Sequence, residues 1–495
     1  LEKWEDKMPE GTVNQGIGAS IHRKEDKRFL IGKGNYTDDI NRAGQLHVYF
    51  LRSPIAFADI VSIDKQKAEK APGVVAILTG EDVAADSLGG PICGWVPTNK
   101  DGSAPFEPPH PILANGRVRY VGDHVAAVFA ETLDQAMSAA ELINVTYSEM
   151  PAITDLKTAM EKPQIHDGME NNTYFDWELG DEAATNDAFD KAATIVKVDI
   201  RNNRVIPNAI EPRAAVADYD TGDERYTLFT TSQNPQLTRL VIGAFMLNIP
   251  ESKFRVVAPD VGGGFGSKIY VYPEEAVCVW ASKKLGRAVK WTADRTQAFL
   301  GDAHGRDHIS DVKLALDKNN RITGLRVDTL ANLGAYLSAF AMVTPTYLHG
   351  TLLSGLYDIP AIYTNVKGIC TNTVNVDAYR GAGRPEATYL LERTMDVAAK
   401  QVGMDPAEFR RLNFIPKDAF PYQTAVALQY DVGDYEPLLD RAMAMIDYKN
   451  FEKRRAASAK NGKCRGIGMS TYIEACGIAP SAVVGALGGR VGLYE

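Results

Sequence analysis

Short apolar or alternating stretches run through the first third of the chain and predict strands over residues 46–51, 74–78 and 125–130. The last of these leads into a predicted helix, because Thr132 and Gln135 form a capping-box pattern and alanines follow at helical spacing. A further strand is predicted at residues 144–147. Strands and helix in this order predict an α+β unit over about residues 1–160.

Polar and acidic sequence over residues 161–189, including DGMENN at 167–172, predicts a linker across the surface. A second mixed α/β unit is predicted over residues 190–430, and a last unit over residues 431–495. The elements predicted in these units are strands at 225–231, 253–258, 373–376 and 466–472, a hairpin at 312–329, and helices at 273–285, 386–402 and 436–446.

Charge and composition exclude several classes of function. The 495 residues carry 54 basic and 63 acidic side chains, for a net charge of −9, and no Lys/Arg block suggests nucleic-acid binding. No apolar run approaches the ~18 residues of a membrane span, and the charged opening lacks the apolar stretch of a signal peptide. We therefore expect a cytoplasmic protein, although a chain that begins at Leu1 leaves a removed leader open.

Metal-ligating residues are sparse in the sequence. The five cysteines form no C-x-x-C pair, so their spacing suits neither zinc nor an iron–sulfur cluster. His304 and His308 are separated as H-x-x-x-H, but the segment has strand-like alternation and no adjoining glutamate. We interpret them as surface histidines, and we expect no direct side-chain ligation of a metal.

Two glycine-rich segments carry the main chemical signal. The first loop is residues 262–268 (GGGFGSK), at a strand-to-helix corner, and the second loop is residues 380–386 (RGAGRPE). Glycines permit positive φ angles and close approach of the backbone to a ligand, and successive free N–H groups favour anions. The pair predicts a site for a polar, phosphorylated or pterin-like ligand.

Neither loop matches a familiar nucleotide motif. A Walker loop requires lysine before the hydroxyl residue, whereas Ser267 here precedes Lys268, and a dinucleotide fingerprint requires glycine at position 267. A purely structural corner is an equal alternative for the first loop alone. The second loop adds Arg380 and Arg384, which suit an oxyanion or polar heterocycle, although either guanidinium could serve a structural ion pair.

The two loops, together with residues 230–235 (TTSQNP) and 211–213 (EPR), resemble the molybdenum-binding subunit of the xanthine oxidase family. The branch of this family that the sequence resembles contains large subunits similar to those of aerobic carbon monoxide dehydrogenase and bacterial N-heterocycle hydroxylases. Residues 32–39, 51–54 and 118–123 resemble its N-terminal hammerhead domain. The resemblance implies a hammerhead domain, then the first part of a molybdopterin-binding domain, then an incomplete second one.

The resemblance also implies roles for single residues. Gln233 matches a glutamine that hydrogen-bonds a terminal molybdenum ligand, Phe265 lies in the loop that approaches the metal and the pterin, and Arg380 faces the substrate side. These three form the predicted catalytic set. The cofactor is expected to be molybdopterin, as its cytosine dinucleotide, holding molybdenum through the pterin. The cofactor-binding residues implied are Gln233, Gly263, Gly264, Phe265, Gly266, Arg380, Gly381, Ala382 and Gly383.

Family members oxidise their substrates with water as the oxygen source. The resemblance implies partner subunits that carry [2Fe–2S] clusters and FAD, in a dimer of heteromers. Departures from the family pattern narrow the substrate. Gly381 stands where carbon monoxide oxidisers have a copper-binding cysteine. Ile269 and Ala382 replace the glutamate and the aromatic residue of purine oxidisers. With Tyr379, these two predict a pocket for another N-heterocycle or an aldehyde.

Family subunits continue further, through another cofactor loop and the glutamate that acts as general base. Glu211, Glu274, Glu275 and Glu386 are candidates by residue type only, and we expect structural roles for them. The chain is therefore either one product of a split molybdenum subunit, with a second chain as partner, or a truncated portion, and is expected to be inactive alone. The alternatives are a non-catalytic molybdopterin-binding or assembly protein, a carbon monoxide dehydrogenase-like enzyme without the copper cysteine, and a generic phosphate-binding protein.

Overall fold

The computed structural model describes residues 16–475. The charged opening of the chain, Cys476 and the end of the last predicted unit (residues 476–495) lie outside the described residues. Its strands are β1 Leu46–Arg52, β2 Ala58–Asp64, β3 Val74–Thr79, β4 Arg117–Val118, β5 His124–Ala130, β6 Asn144–Glu149, β7 Thr173–Gly180, β8 Thr194–Asn202, β9 Ala214–Asp220, β10 Arg225–Thr230, β11 Phe254–Val257, β12 Val289–Thr292, β13 His308–Leu316, β14 Ile322–Gly334, β15 Ile362–Cys370, β16 Tyr422–Gln423 and β17 Gln429–Tyr430.

The helices of the described residues are α1 Asp26–Leu30, α2 Gly80–Ala85, α3 Leu133–Ala140, α4 Glu182–Asp190, α5 Pro235–Leu240, α6 Pro273–Leu285, α7 Arg295–Gly301, α8 Tyr347–Gly350, α9 Arg384–Gln401, α10 Pro406–Asn413, α11 Glu436–Met445 and α12 Phe451–Lys460. Within this part of the chain, no helix combines the length and apolar character needed to cross a bilayer. Strands and helices are mixed throughout, which confirms the mixed α/β class.

The largest sheet joins the N-terminal unit to the second unit. Its order is β11-β10-β9-β12-β1-β5-β3, and β1 pairs in parallel with β12, Leu46 opposite Val289. α6 lies against this sheet in the main core, where Val277 and Ala281 are fully buried. The apolar strands predicted near the N-terminus therefore complete a sheet whose other four strands come from residues 214–292.

The second sheet has the order β7-β15-β14-β13-β8 and packs against α9. Its edge strand β7 and nearly all of α4 lie in residues 161–189, which we predicted to be a linker. That prediction is wrong, because Tyr174, Phe175 and Trp177 on β7 are buried in a further apolar cluster. Acidic residues in and around this strand made the segment look like a surface linker. In the structure, the charged positions of β7 face away from the core.

Local capping signals correspond closely to observed helix ends. The Thr132 hydroxyl accepts a hydrogen bond of 3.2 Å from the Gln135 N–H, which caps α3 as predicted. Ala136 and Ala139 on this helix are fully buried. α6 ends at Leu285 and is capped by Gly286, whose φ of +63° is the left-handed conformation that favours glycine.

Two predicted strands are absent from the described residues. Residues 373–376 form only an isolated bridge, between Val376 and His304. Residues 466–472 form no strand, and the Thr471 N–H donates instead to the Glu392 carboxylate at 2.7 Å. Alternation is not sufficient for a strand, because a strand also needs a partner edge for its backbone hydrogen bonds.

Candidate functional site

The two glycine-rich loops contact each other directly. The first loop joins β11 to α6, and the second joins the segment after β15 to α9. The Arg380 N–H donates to the Phe265 carbonyl at 3.0 Å. A Cβ atom added to Gly266 would lie 2.3 Å from the Ala378 carbonyl oxygen, so the backbones approach as closely as glycine allows. The tertiary structure thus brings both predicted loops into one site.

Gln233 lies beside the first loop, directly before α5. Its N–H donates to the Lys268 carbonyl at 2.8 Å, and its side-chain oxygen accepts from the Gly266 N–H at 2.9 Å. A Cβ at Gly264 would lie 2.3 Å from the same side-chain oxygen, so a larger residue there would displace the Gln233 side chain. The side-chain oxygen is thus occupied. The Nε2 amide of this exposed side chain remains available as a hydrogen-bond donor.

The first loop has an unusual backbone conformation. Gly263, Phe265 and Gly266 have φ angles of +98°, +56° and +103°. Phe265 is 40% exposed, and positive φ is uncommon for an aromatic residue. The N–H groups of Gly263, Gly264 and Phe265 donate to no acceptor within residues 16–475, which leaves consecutive donors for an anionic or oxo-bearing group.

The second loop contributes a cation and further positive φ angles. Gly381 and Gly383 have φ angles of +98° and +81°, and Ala382 between them has +29°. A Cβ at Gly383 would lie 2.6 Å from the Thr344 carbonyl oxygen, so the second loop packs tightly against the backbone at Thr344. The exposed Arg380 guanidinium contacts no acceptor in the described part of the chain. The chemistry of the donors and the glycine cradle fit a polar, anionic cofactor.

Lys268 does not extend toward a ligand. Its Nζ donates to the Glu211 carbonyl at 2.8 Å and to the Glu211 carboxylate at 2.9 Å, and that carboxylate also accepts from the Gly262 N–H at 2.7 Å. Burial lowers the pKa of Lys268 against the opposing effect of Glu211. The pair ties the first loop to residues 211–213. Lys268 is therefore not available to bind the phosphate in the generic phosphate-binding alternative.

The other three candidate glutamates are also engaged in structural contacts. The Glu274 carboxylate accepts from Arg213 at 3.0 Å and from Arg52 at 2.6 Å. Burial alone would raise the pKa of Glu274, but the charge of Arg213 helps to hold it well below its usual range. Glu275 accepts from the Tyr272 N–H at 2.9 Å, and Glu386 pairs with Arg306 at 3.1 Å. These contacts match the structural roles expected from the sequence.

The predicted pocket residues surround the junction of the loops. Ile269 is half-buried and packs against the main core. Ala382 packs against a small cluster that contains Trp95 and Leu348. The Tyr379 ring lies under the Arg306 guanidinium, at 4.8 Å from its centre. Their role toward a substrate stays a prediction.

Two side chains beneath the second loop were missed in the sequence. Arg306 donates to the carbonyls of Tyr379 and Arg380, and the Asp377 carboxylate accepts from the Phe340 N–H at 2.9 Å and from the Ser338 hydroxyl. Burial raises the pKa of Asp377 to about 7. No local pattern marks either residue, because their partners lie on distant segments.

The histidine prediction is wrong in one respect. His308 is only 4% exposed and is not a surface residue, since it begins β13 under the second loop. No cluster of three or more His, Cys, Asp or Glu side chains suited to a metal occurs within residues 16–475.

Comparison with known protein families gives two matches. Residues 165–414 match the molybdopterin cofactor-binding domain, and residues 31–151 match the a/b hammerhead domain of aldehyde oxidase and xanthine dehydrogenase. A hammerhead domain followed by a molybdopterin-binding domain is therefore confirmed, whereas the incomplete second molybdopterin-binding domain stays a prediction. The hammerhead match covers β1 to β6, and the molybdopterin match includes Gln233 and both loops.

The chain is 37% identical to the carbon monoxide dehydrogenase large chain of Hydrogenophaga pseudoflava, over 97% of this chain and 60% of that protein. The structure resembles quinoline 2-oxidoreductase from Pseudomonas putida 86, with a TM-score of 0.88 and 34% identity, over 96% of this chain and 60% of that one. The nicotinate dehydrogenase large molybdopterin subunit of Eubacterium barkeri is 28% identical over 90% of this chain and 100% of its own length.

The chain thus spans about 60% of the length of the first two relatives, and all of the third is covered by it. Matches to both domains, in the order expected from the motifs, agree with the geometry of the two loops. This chain belongs to the xanthine oxidase family and is similar to the molybdenum-binding large subunit of carbon monoxide dehydrogenase.

Proposed function

We propose that this chain is the molybdenum-cofactor-binding part of a hydroxylase that oxidises an N-heterocyclic aromatic compound or an aldehyde, with water as the oxygen source. The observation that carries the proposal is the junction of the two loops. There the Nε2 amide of Gln233, the free N–H groups of the first loop and the Arg380 guanidinium are available as donors. The family's cofactor, when bound, supplies the redox chemistry.

The backbone and side-chain groups of this chain would bind and orient the cofactor and the substrate. The N–H groups of Gly263, Gly264 and Phe265 would hold oxo or pterin oxygens, because consecutive backbone donors favour anions. The Nε2 amide of Gln233 would donate to a further cofactor atom. Arg380 would stabilise negative charge on the substrate side. The cytosine dinucleotide form of the cofactor is part of this proposal.

Elemental analysis of the isolated native complex tests the proposal. We expect about one molybdenum and one pterin per chain, together with iron and flavin from partner subunits. A Gly266→Ala variant, in which a Cβ would clash with the Ala378 carbonyl at 2.3 Å, provides a control with a distorted loop and reduced molybdenum. A complex that lacks molybdenum and pterin would contradict the proposal.

A panel of substrates then separates the hydroxylase from its alternatives. Heterocycles such as quinoline and nicotinate, and simple aldehydes, should reduce the complex, whereas carbon monoxide and xanthine should not. Gly381 in place of a copper-binding cysteine supports the first exclusion, and Ile269 with Ala382 supports the second. An assembly protein would instead bind pterin without catalytic turnover and without iron and flavin partners.

A second chain that completes the molybdenum subunit is also proposed. Its support is the Eubacterium barkeri relative, whose whole length this chain covers. Glu211, Glu274, Glu275 and Glu386 all have structural partners, which supports a general base outside this chain. Purification of the native complex, followed by mass spectrometry, tests whether a second molybdenum-subunit chain accompanies this chain and the iron–sulfur and flavin subunits.

We also propose a cytoplasmic location for this chain. Fractionation of cells tests that location.

A further inference from the structure

Residues 304–308 run beneath the second loop. The His304 N–H donates to the Asn375 carbonyl at 3.0 Å, and the Asp377 N–H donates back to the His304 carbonyl at 2.8 Å. Arg306 is 9% exposed. A segment that the sequence suggested to be peripheral is therefore hydrogen-bonded to the chain that leads into the second loop.

The backbone of this segment is strained. Arg306 and Asp307 both have a φ of +67°, which is uncommon for residues other than glycine. A Cβ at Gly305 would lie 2.4 Å from the Tyr379 Cβ, so the segment presses closely against the residue before Arg380. Such conformations persist only where the surrounding contacts enforce them, and they cluster at functional sites.

The strained backbone directs the Arg306 guanidinium at the second loop. Nη1 donates to the Tyr379 carbonyl at 2.9 Å and Nη2 donates to the Arg380 carbonyl at 2.9 Å. Nη1 also contacts the buried Glu386 carboxylate at 3.1 Å, and the guanidinium stacks over the Tyr379 ring. The planar fork thus holds two consecutive carbonyls, a geometry that a lysine cannot reproduce.

We propose that Arg306 is a positioning residue for the substrate side of the site. By holding the carbonyls of Tyr379 and Arg380, it fixes the second loop against the first and sets the direction in which Arg380 extends. The catalytic consequence rests on the proposed function. The restraint on the loop does not, because it depends only on contacts within this chain.

Arg204 provides a matched control. Its guanidinium donates to the Asp307 carboxylate at 2.8 Å, to the Val374 carbonyl at 3.0 Å and to the Thr373 hydroxyl at 2.7 Å. Arg204 is therefore a half-buried arginine that binds the same strained segment, through Asp307, and the chain that leads into the second loop, through Thr373 and Val374. It makes no contact with Tyr379 or Arg380, so it tests for a general loss of structure.

Limited trypsin digestion of the native complex measures the restraint without any activity assay. Trypsin cleaves after the exposed Arg380, whose carbonyl is one of the two that Arg306 holds. The bond after Arg384 resists trypsin because Pro385 follows it. We expect Arg306→Met to speed cleavage at the Arg380–Gly381 bond at least tenfold, because local opening governs such cleavage. Arg306→Lys should give an intermediate rate, and Arg204→Met should leave the rate unchanged. Equal rates in the Arg306→Met and Arg204→Met complexes would overturn the proposal.

Turnover per molybdenum measures the functional part. We expect Arg306→Met to lower kcat/KM at least tenfold at unchanged molybdenum content, with partial recovery in Arg306→Lys and little change in Arg204→Met. Faster cleavage with unchanged kcat/KM would overturn the positioning role. A wild-type complex without molybdenum would contradict the proposed function instead, and the cleavage rates would still decide whether Arg306 restrains the loop.

Discussion

The Gln233 side-chain oxygen accepts a hydrogen bond of 2.9 Å from the backbone N–H of Gly266, which has a φ of +103°. One side chain therefore holds the first loop at a position where only glycine fits, and it keeps its Nε2 amide available as a donor. The two functions of Gln233, support of the loop and donation toward a ligand, reside on different atoms and can be separated by substitution.

We expect Gln233→Ala to lower turnover per molybdenum at least tenfold with little change in melting temperature, because the side chain is exposed. Gln233→Glu keeps an acceptor for Gly266 but loses the donor, so it should retain cofactor and still turn over slowly. Gln236→Ala, also exposed and close by, is the control and should behave as wild type. Molybdenum content and steady-state kinetics check this, and a fully loaded Gln233→Ala complex with normal turnover would disprove it.

Gly266→Ala should cost more stability than an ordinary glycine substitution. An alanine in the left-handed region costs about 1–2 kcal/mol, and at Gly266 the new Cβ would also lie 2.3 Å from the Ala378 carbonyl oxygen. Gly286→Ala, with a φ of +63° and open space around it, isolates the conformational part. Melting temperatures and molybdenum contents of both variants check this. Equal destabilisation by the two would show that the contact between the loops is not a constraint.

Glu274→Gln should destabilise the protein by about 3–5 kcal/mol, because it removes the carboxylate that two buried arginines share, and only Arg213 keeps a second acidic partner, Asp302. Glu274 is fully buried and contacts both Arg52 and Arg213, which joins the hammerhead domain to the molybdopterin-binding domain. The exposed pair of Glu131 with Arg287 has equally short contacts of 2.7 Å. Glu131→Gln should therefore change little, and chemical denaturation compares the two. Similar stabilities for both variants would contradict a role for the buried cluster.

Asp377 should give the second loop a pH-dependent stability. Its pKa in the folded protein is raised to about 7 by burial, above the ordinary 3.8, so the native state binds this proton more tightly than the unfolded state. The contribution to the free energy of unfolding is then fully present below about pH 4 and is lost as pH rises to about 7, by about 1.4 kcal/mol for each pH unit between these two values. Asp377→Asn lacks this titration.

Melting temperatures of wild type and Asp377→Asn at pH 5 and pH 8 check the sign. Relative to the variant, wild type should lose stability between these values. Asp167→Asn, at a side chain that is 98% exposed, controls for general effects of pH and should track wild type. Parallel curves for wild type and Asp377→Asn would refute the prediction.

Several elements could be predicted from local sequence because their causes are local. The Thr132 cap, the left-handed Gly286 and the alternation of β13 and β14 depend on neighbouring residues only. The linker prediction was wrong where Trp177 and its neighbours needed a sheet and a core supplied by later sequence. Burial of that strand cannot be known before its partner β15 is placed.

The candidate site also combines features that local sequence determines with features that depend on tertiary contacts. Both loops, Gln233 and the family could be identified from the sequence, because glycines and short motifs mark the backbone positions where a ligand approaches. The folded chain was needed to show that Lys268 is neutralised by Glu211, that Glu274 and Glu386 are held by arginines, and that Arg306 restrains Arg380. Charge pairing and hydrogen bonding between distant segments depend on distances in space, and those distances are fixed only when the whole chain packs.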